Sequence, residues 1–67
     1  VEAEQSLARL TELDPRMARA WSLRARVAAA RNDVDRARSF FSRARSLDPE
    51  LAARVLERDV RLAAAVR

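Results

Sequence analysis

The chain has no cysteine, no histidine and no glycine. Without cysteine there are no disulfide staples, and without cysteine or histidine the usual zinc, haem and imidazole chemistries are excluded. Without glycine there is no phosphate-cradling loop. Ser6, Ser22, Ser39, Ser42 and Ser46 have no imidazole to activate them. No apolar run approaches the roughly 18 residues of a membrane helix, and no charged-then-apolar segment resembles a signal peptide. Aromatics are limited to Trp21, Phe40 and Phe41. The first residue is Val1 rather than methionine, so a chain excised from something longer, or processed, is expected.

What is present is helical. Two prolines and an abundance of alanine, leucine, arginine and glutamate give an all-α composition. With 67 residues the chain is one domain, able to bury only about 60% of the surface its unfolded form exposes. All 14 basic residues are arginine, and the net charge is +4 with a pI near 11.4. That pI invites a nucleic-acid reading. Ten carboxylates are interleaved with the arginines, however, which favours solvated helix faces. A soluble, cytoplasmic protein is expected.

Helical spacing divides the chain into four segments. Ala3, Leu7, Leu10 and Leu13 form one stripe on a first helix, residues 1–13. Asp14 offers an N-cap and Pro15 sits at the first position of a second helix, residues 15–31, where a missing N–H costs nothing. Met17, Trp21, Ala25 and Ala28 share its inner face. Asn32 suits a left-handed C-terminal stop, and Asp33 caps a third helix, residues 34–47, whose stripe is Ala37, Phe41, Ala44 and Leu47. Asp48-Pro49-Glu50 restarts the chain, and a last helix is expected to run unbroken to about Val66.

The first and third stripes are the same pattern displaced by 34 residues. Leu13-Asp14-Pro15 recurs as Leu47-Asp48-Pro49, and nine of the 33 superposed pairs are identical where composition alone would give about four. A 34-residue period is that of a helix-turn-helix solenoid. Trp21, then small Ala25, the Ala37-x3-Phe41 pair, small Ala44 and Pro49 resemble the tetratricopeptide repeat. Arg24 and Ala28 stand where that family carries Leu and Tyr. The resemblance implies an antiparallel helical solenoid: residues 1–15 as the second helix of a partial repeat, 16–49 as a full repeat, and 50–67 as the first helix of another or a capping helix. In the last segment Val55 takes the Trp place and Asp59 the small-residue place.

The resemblance also implies a function, a protein-protein interaction or scaffolding module with no cofactor and no metal. In such arrays the first helix of each repeat lines a concave groove, which assigns Arg19, Ser22 and Arg26 to one wall and their counterparts Ala53, Leu56 and Val60 to the other. A groove basic on one side and apolar on the other suits a peptide with an acidic group near apolar anchors. The Asn and Lys pattern by which some members clamp a C-terminal carboxylate is not reproduced, since Leu23 and Arg26 stand in its places. Two alternatives remain open. Repeats need neighbours, so homo-oligomers could form through the end helices. Related helical hairpins bind RNA, but here there is no exposed aromatic row for base stacking. An enzyme is not expected: Asp33 with Asp35, and Glu57 with Asp59, are two residues apart and point in different directions on a helix.

Overall fold

In a computed structural model the described residues are 2–67, with side chains from Glu4 onward, so Val1 and the side chain of Ala3 lie outside them. These residues form five helices: α1 (Glu2–Leu13), α2 (Ala18–Ala30), α3 (Val34–Leu47), α4 (Pro49–Arg58) and α5 (Val60–Val66). The central antiparallel hairpin is α2–α3. Ala25, Ala37 and Ala44 are fully buried, and their single methyl groups let the two backbones approach closely. Phe41 fills the space beside them, together with Ala28, Ala29, Ala52 and Leu62.

The α2–α3 turn follows its expected chemistry. Asn32 takes φ 61°, in the left-handed region. Its N–H donates to Ala29 O at 3.0 Å and that of Asp33 donates to Ala28 O at 2.9 Å, a Schellman pair that satisfies two terminal carbonyls. The Asp33 carboxylate then accepts from Arg36 N–H at 3.3 Å and starts α3.

The two Leu-Asp-Pro junctions diverge, which corrects the expected start of the second helix. At the second junction Asp48 accepts from Leu51 N–H at 3.1 Å, and α4 begins at Pro49. At the first, Asp14 accepts from Arg16 N–H at 3.2 Å while its carbonyl accepts from Met17 N–H at 3.2 Å, closing a turn over Pro15 and Arg16. The carboxylate is consumed by the turn, so α2 starts only at Ala18, with Met17 at its N-cap and no side-chain cap. The Trp21 indole N–H donates to Pro15 O at 2.8 Å and ties the turn to α2.

The expected single last helix is two helices, so the count is five rather than four. Asp59 is extended, at φ −116° and ψ 99°, and its carboxylate accepts from Leu62 N–H at 3.0 Å to cap α5. The break folds α5 back against α2 and α3, where Leu62 is 0% exposed. Burying that side chain contributes about 1.5–3 kcal/mol, enough to offset an interrupted helix. Arginines seal the ends: Arg61 donates to Ala30 O at 3.3 Å, and Arg38 donates to Ala65 O and Arg67 O, each at 3.0 Å. Arg38, although exposed, spends its guanidinium on the α5 terminus. Leu10 and Leu13 also depart from their expected stripe, at 41% and 78% exposed, while Leu7 and Thr11 face α2.

Candidate functional site: a basic groove between α2 and α4

Positions 19, 23 and 26 of α2 lie on one helical face, and so do positions 51, 54, 55 and 58 of α4. These two faces border an open groove of about 460 Å³. Leu23, Leu51 and Val55 supply its apolar surface, while Arg19, Arg26, Arg54 and Arg58 surround that surface with positive charge. No carboxylate is among the lining residues. Arg19, Arg54 and Arg58 make no ion pair with any described residue. Such a surface offers planar guanidinium donors beside apolar contact area, which suits carboxylates carried on an apolar segment.

Arg26 is the exception, because its Nε donates to Asp59 Oδ2 at 2.9 Å. Partial burial raises the Asp59 pKa, but the Leu62 N–H bond, the Arg26 hydrogen bond and charge, and the Arg61 N–H bond together outweigh it. The carboxyl is therefore held below the usual aspartate value. One side chain thus links the groove wall on α2 to the elbow between α4 and α5.

The sequence-expected residues separate into two groups. Arg19, Ser22 and Arg26 do line one groove together. Ser22 is 3% exposed and its hydroxyl donates to Arg19 O at 2.7 Å, so it shapes the wall while its proton is already placed. Ala53, Leu56 and Val60 do not line this groove. Ala53 is exposed, Leu56 packs against the core beside Phe41, and Val60 is 82% exposed beyond the break at Asp59. The α4 face across from α2 carries Leu51, Arg54, Val55 and Arg58 instead. Counting 34 residues along from α2 presumes that both helices present the same face to the groove, which α4 does not, and Val60 lies past the elbow in α5. The i, i+3, i+4, i+7 spacing of 51, 54, 55 and 58 was the available signal for the second wall.

A second arginine cluster lies away from the groove. Arg24 Cζ is 4.1 Å from the Phe40 ring centroid and 5.3 Å from that of Trp21, and the two rings are 5.9 Å apart. Arg43 Cζ lies 5.1 Å from the Trp21 ring. Arg24 Nη1 also donates to Oγ1 of buried Thr11 at 2.9 Å, joining α1 to the hairpin. The Thr11 hydroxyl accepts from Arg24 while sharing its own proton between Ala8 O at 2.9 Å and Leu7 O at 3.2 Å, so this buried group is satisfied. Trp21 is half-buried in this stack, and Phe40 meets α2 through Trp21 and Arg24. Among the described residues no group of three or more acids, histidines or cysteines is arranged to hold a metal. No described helix is long and apolar enough to cross a membrane.

A short α2–α3 hairpin built on alanine contacts, followed by a capped restart at Asp48-Pro49, defines a helical-hairpin repeat protein. The family model of the tetratricopeptide repeat matches residues 18–51, just over half of the chain, and the chain belongs to that family. Repeats of this family are non-enzymatic modules that mediate protein-protein interaction. Neither the curated proteins nor the solved structures provide a match.

Proposed function

We propose that this repeat is a protein-interaction module whose α2–α4 groove binds an acidic segment with apolar anchors. The observation that supports it best is the set of three arginines, Arg19, Arg54 and Arg58, unpaired among the described residues and placed around Leu23, Leu51 and Val55 with no lining carboxylate. A carboxylate arriving there gains charge-assisted hydrogen bonds without first displacing a native partner, while its apolar neighbours cover the leucines. Recognition then uses preformed helix surfaces and involves no covalent step.

The test uses fluorescence anisotropy with a labelled peptide of alternating glutamate and leucine and a glutamine-for-glutamate control. The acidic peptide binds at least about tenfold more tightly than the control, and Arg19→Glu/Arg54→Glu abolishes that preference. Equal binding of both peptides would overturn the reading. Tighter binding to a single-stranded RNA, falling steeply with added salt, would replace it with nucleic-acid recognition.

A further inference from the structure

Arg26 lines the groove, yet its guanidinium is already occupied by a carboxylate of the same chain. That carboxylate belongs to Asp59, the residue that breaks the last helix and stands, 34 residues on, in the place of the fully buried Ala25. We propose that Asp59 is an internal competitor for the groove: it occupies Arg26 in the free protein, and an acidic ligand must displace it to use the fourth arginine. This rests on the reading of the α2–α4 groove as a ligand surface.

Three features support the competition. The pair is asymmetric in exposure: the Arg26 side chain is 49% exposed and so within reach of a ligand, whereas Asp59 is 18% exposed and held in place. The two carboxylate oxygens have separate duties, since Oδ1 accepts from Leu62 N–H and Oδ2 from Arg26. Loss of Arg26 to a ligand therefore leaves the α5 cap intact and the fold in place. The remaining groove arginines have no such internal partner among the described residues, so the selectivity falls on one position. A ligand with a single acidic group is served by Arg19, Arg54 or Arg58. One that also places a carboxylate at Arg26 must replace Asp59 there, and by linkage its binding weakens the tie between α2 and the α4–α5 elbow.

The experiment measures the glutamate–leucine peptide against the intact chain, Asp59→Asn, Arg26→Ala and the double variant, at low ionic strength. Asparagine keeps an acceptor for Leu62 N–H and is a good N-cap, so Asp59→Asn folds with unchanged helix content by circular dichroism. The result expected is binding about two- to fivefold tighter for Asp59→Asn, the range of a part-exposed ion pair, with no such gain when Arg26 is already alanine. Equal or weaker binding by folded Asp59→Asn, while the native chain still prefers the acidic peptide, overturns the competition alone. Absence of that preference in both the native chain and Asp59→Asn overturns the groove reading and the competition with it. Should Asp59→Asn lose helix content, Asp59→Ser, which keeps a capping oxygen without the charge, takes its place: tighter binding supports the competition, and equal or weaker binding by the folded variant overturns it.

Discussion

At the scale of single residues, Arg24 does what an apolar residue does elsewhere in the family. Its guanidinium lies over Phe40 and near Trp21, and it satisfies buried Thr11 across the α1–α2 contact. Planarity matters here, because a stacked and hydrogen-bonded guanidinium has no equivalent in a lysine ammonium. Arg24→Lys is therefore expected to cost about 1 kcal/mol in urea denaturation, with Arg24→Ala losing about 1–2 kcal/mol. A lysine variant as stable as the native chain would show that charge alone suffices. Sequence spacing places position 24 beside the aromatics, but whether an arginine there lies flat on a ring or extends into water is decided by the Thr11 acceptor, which belongs to another helix.

At the scale of elements, the helix ends decide the architecture. Asn32 carries the left-handed turn on which α2 and α3 reverse. Asn32→Gly should leave stability within about 0.5 kcal/mol of native, whereas Asn32→Ala, which must hold a Cβ at positive φ, should lose about 1 kcal/mol, read from thermal melts. Equal effects of the two substitutions would contradict the left-handed turn. Asp59 makes a pH-dependent contribution. Its folded pKa is depressed, so the stabilisation is complete above the ordinary aspartate range and is lost as pH falls through the folded value. Melts of native and Asp59→Asn chains should accordingly differ at neutral pH and converge in acid, once the pH has fallen below the ordinary aspartate value and through the lowered folded one. A difference that persists unchanged in acid would assign the effect to something other than the Asp59 charge.

The same helix ends explain what the sequence reveals. α3 and its cap at Asp33, the Asn32 stop and the buried Ala25–Ala37–Phe41 contact are all legible from spacing and local chemistry, because each depends on neighbours within a turn or one hairpin. The identical Leu-Asp-Pro triplets behave differently because Asp14 spends its carboxylate on Arg16 N–H, while Asp48 caps Leu51. At the first junction Trp21 also reaches back to Pro15 O, whereas Val55, in the corresponding place of the last segment, has no side-chain donor to offer. The elbow at Asp59 is likewise invisible to helical spacing, since its reward is the burial of Leu62 against distant helices. One wall of the groove, Arg19 and Arg26, follows from periodicity on a single helix. The other, Leu51, Arg54, Val55 and Arg58, needs the angle between helices, which periodicity does not carry.

At the scale of the whole molecule, charge is distributed unevenly over a body of 28 × 25 × 17 Å. Glu4 is paired with Arg31 at 2.7 Å, Asp33 with Arg36 at 3.5 Å and Asp59 with Arg26, while the groove keeps three arginines without internal partners among the described residues. The groove gathers four of the 14 arginines around leucine and valine with no lining carboxylate, while Glu4, Asp14, Asp33 and Asp48 are spent on ties, turns and caps elsewhere. Long-range attraction to an acidic segment follows from the net charge, and its orientation follows from the groove.

The most direct measurement is an amide chemical-shift map of the 15N-labelled chain titrated with the glutamate–leucine peptide. The account predicts that the largest changes fall on Arg19, Leu23, Arg26, Arg54, Val55 and Arg58, with those at Asp59 and Leu62 following as Arg26 is engaged. Changes confined to the exposed face of α1 around Leu10 and Leu13, or to Arg36 and Arg45 on α3, would contradict it and move the binding surface away from the groove.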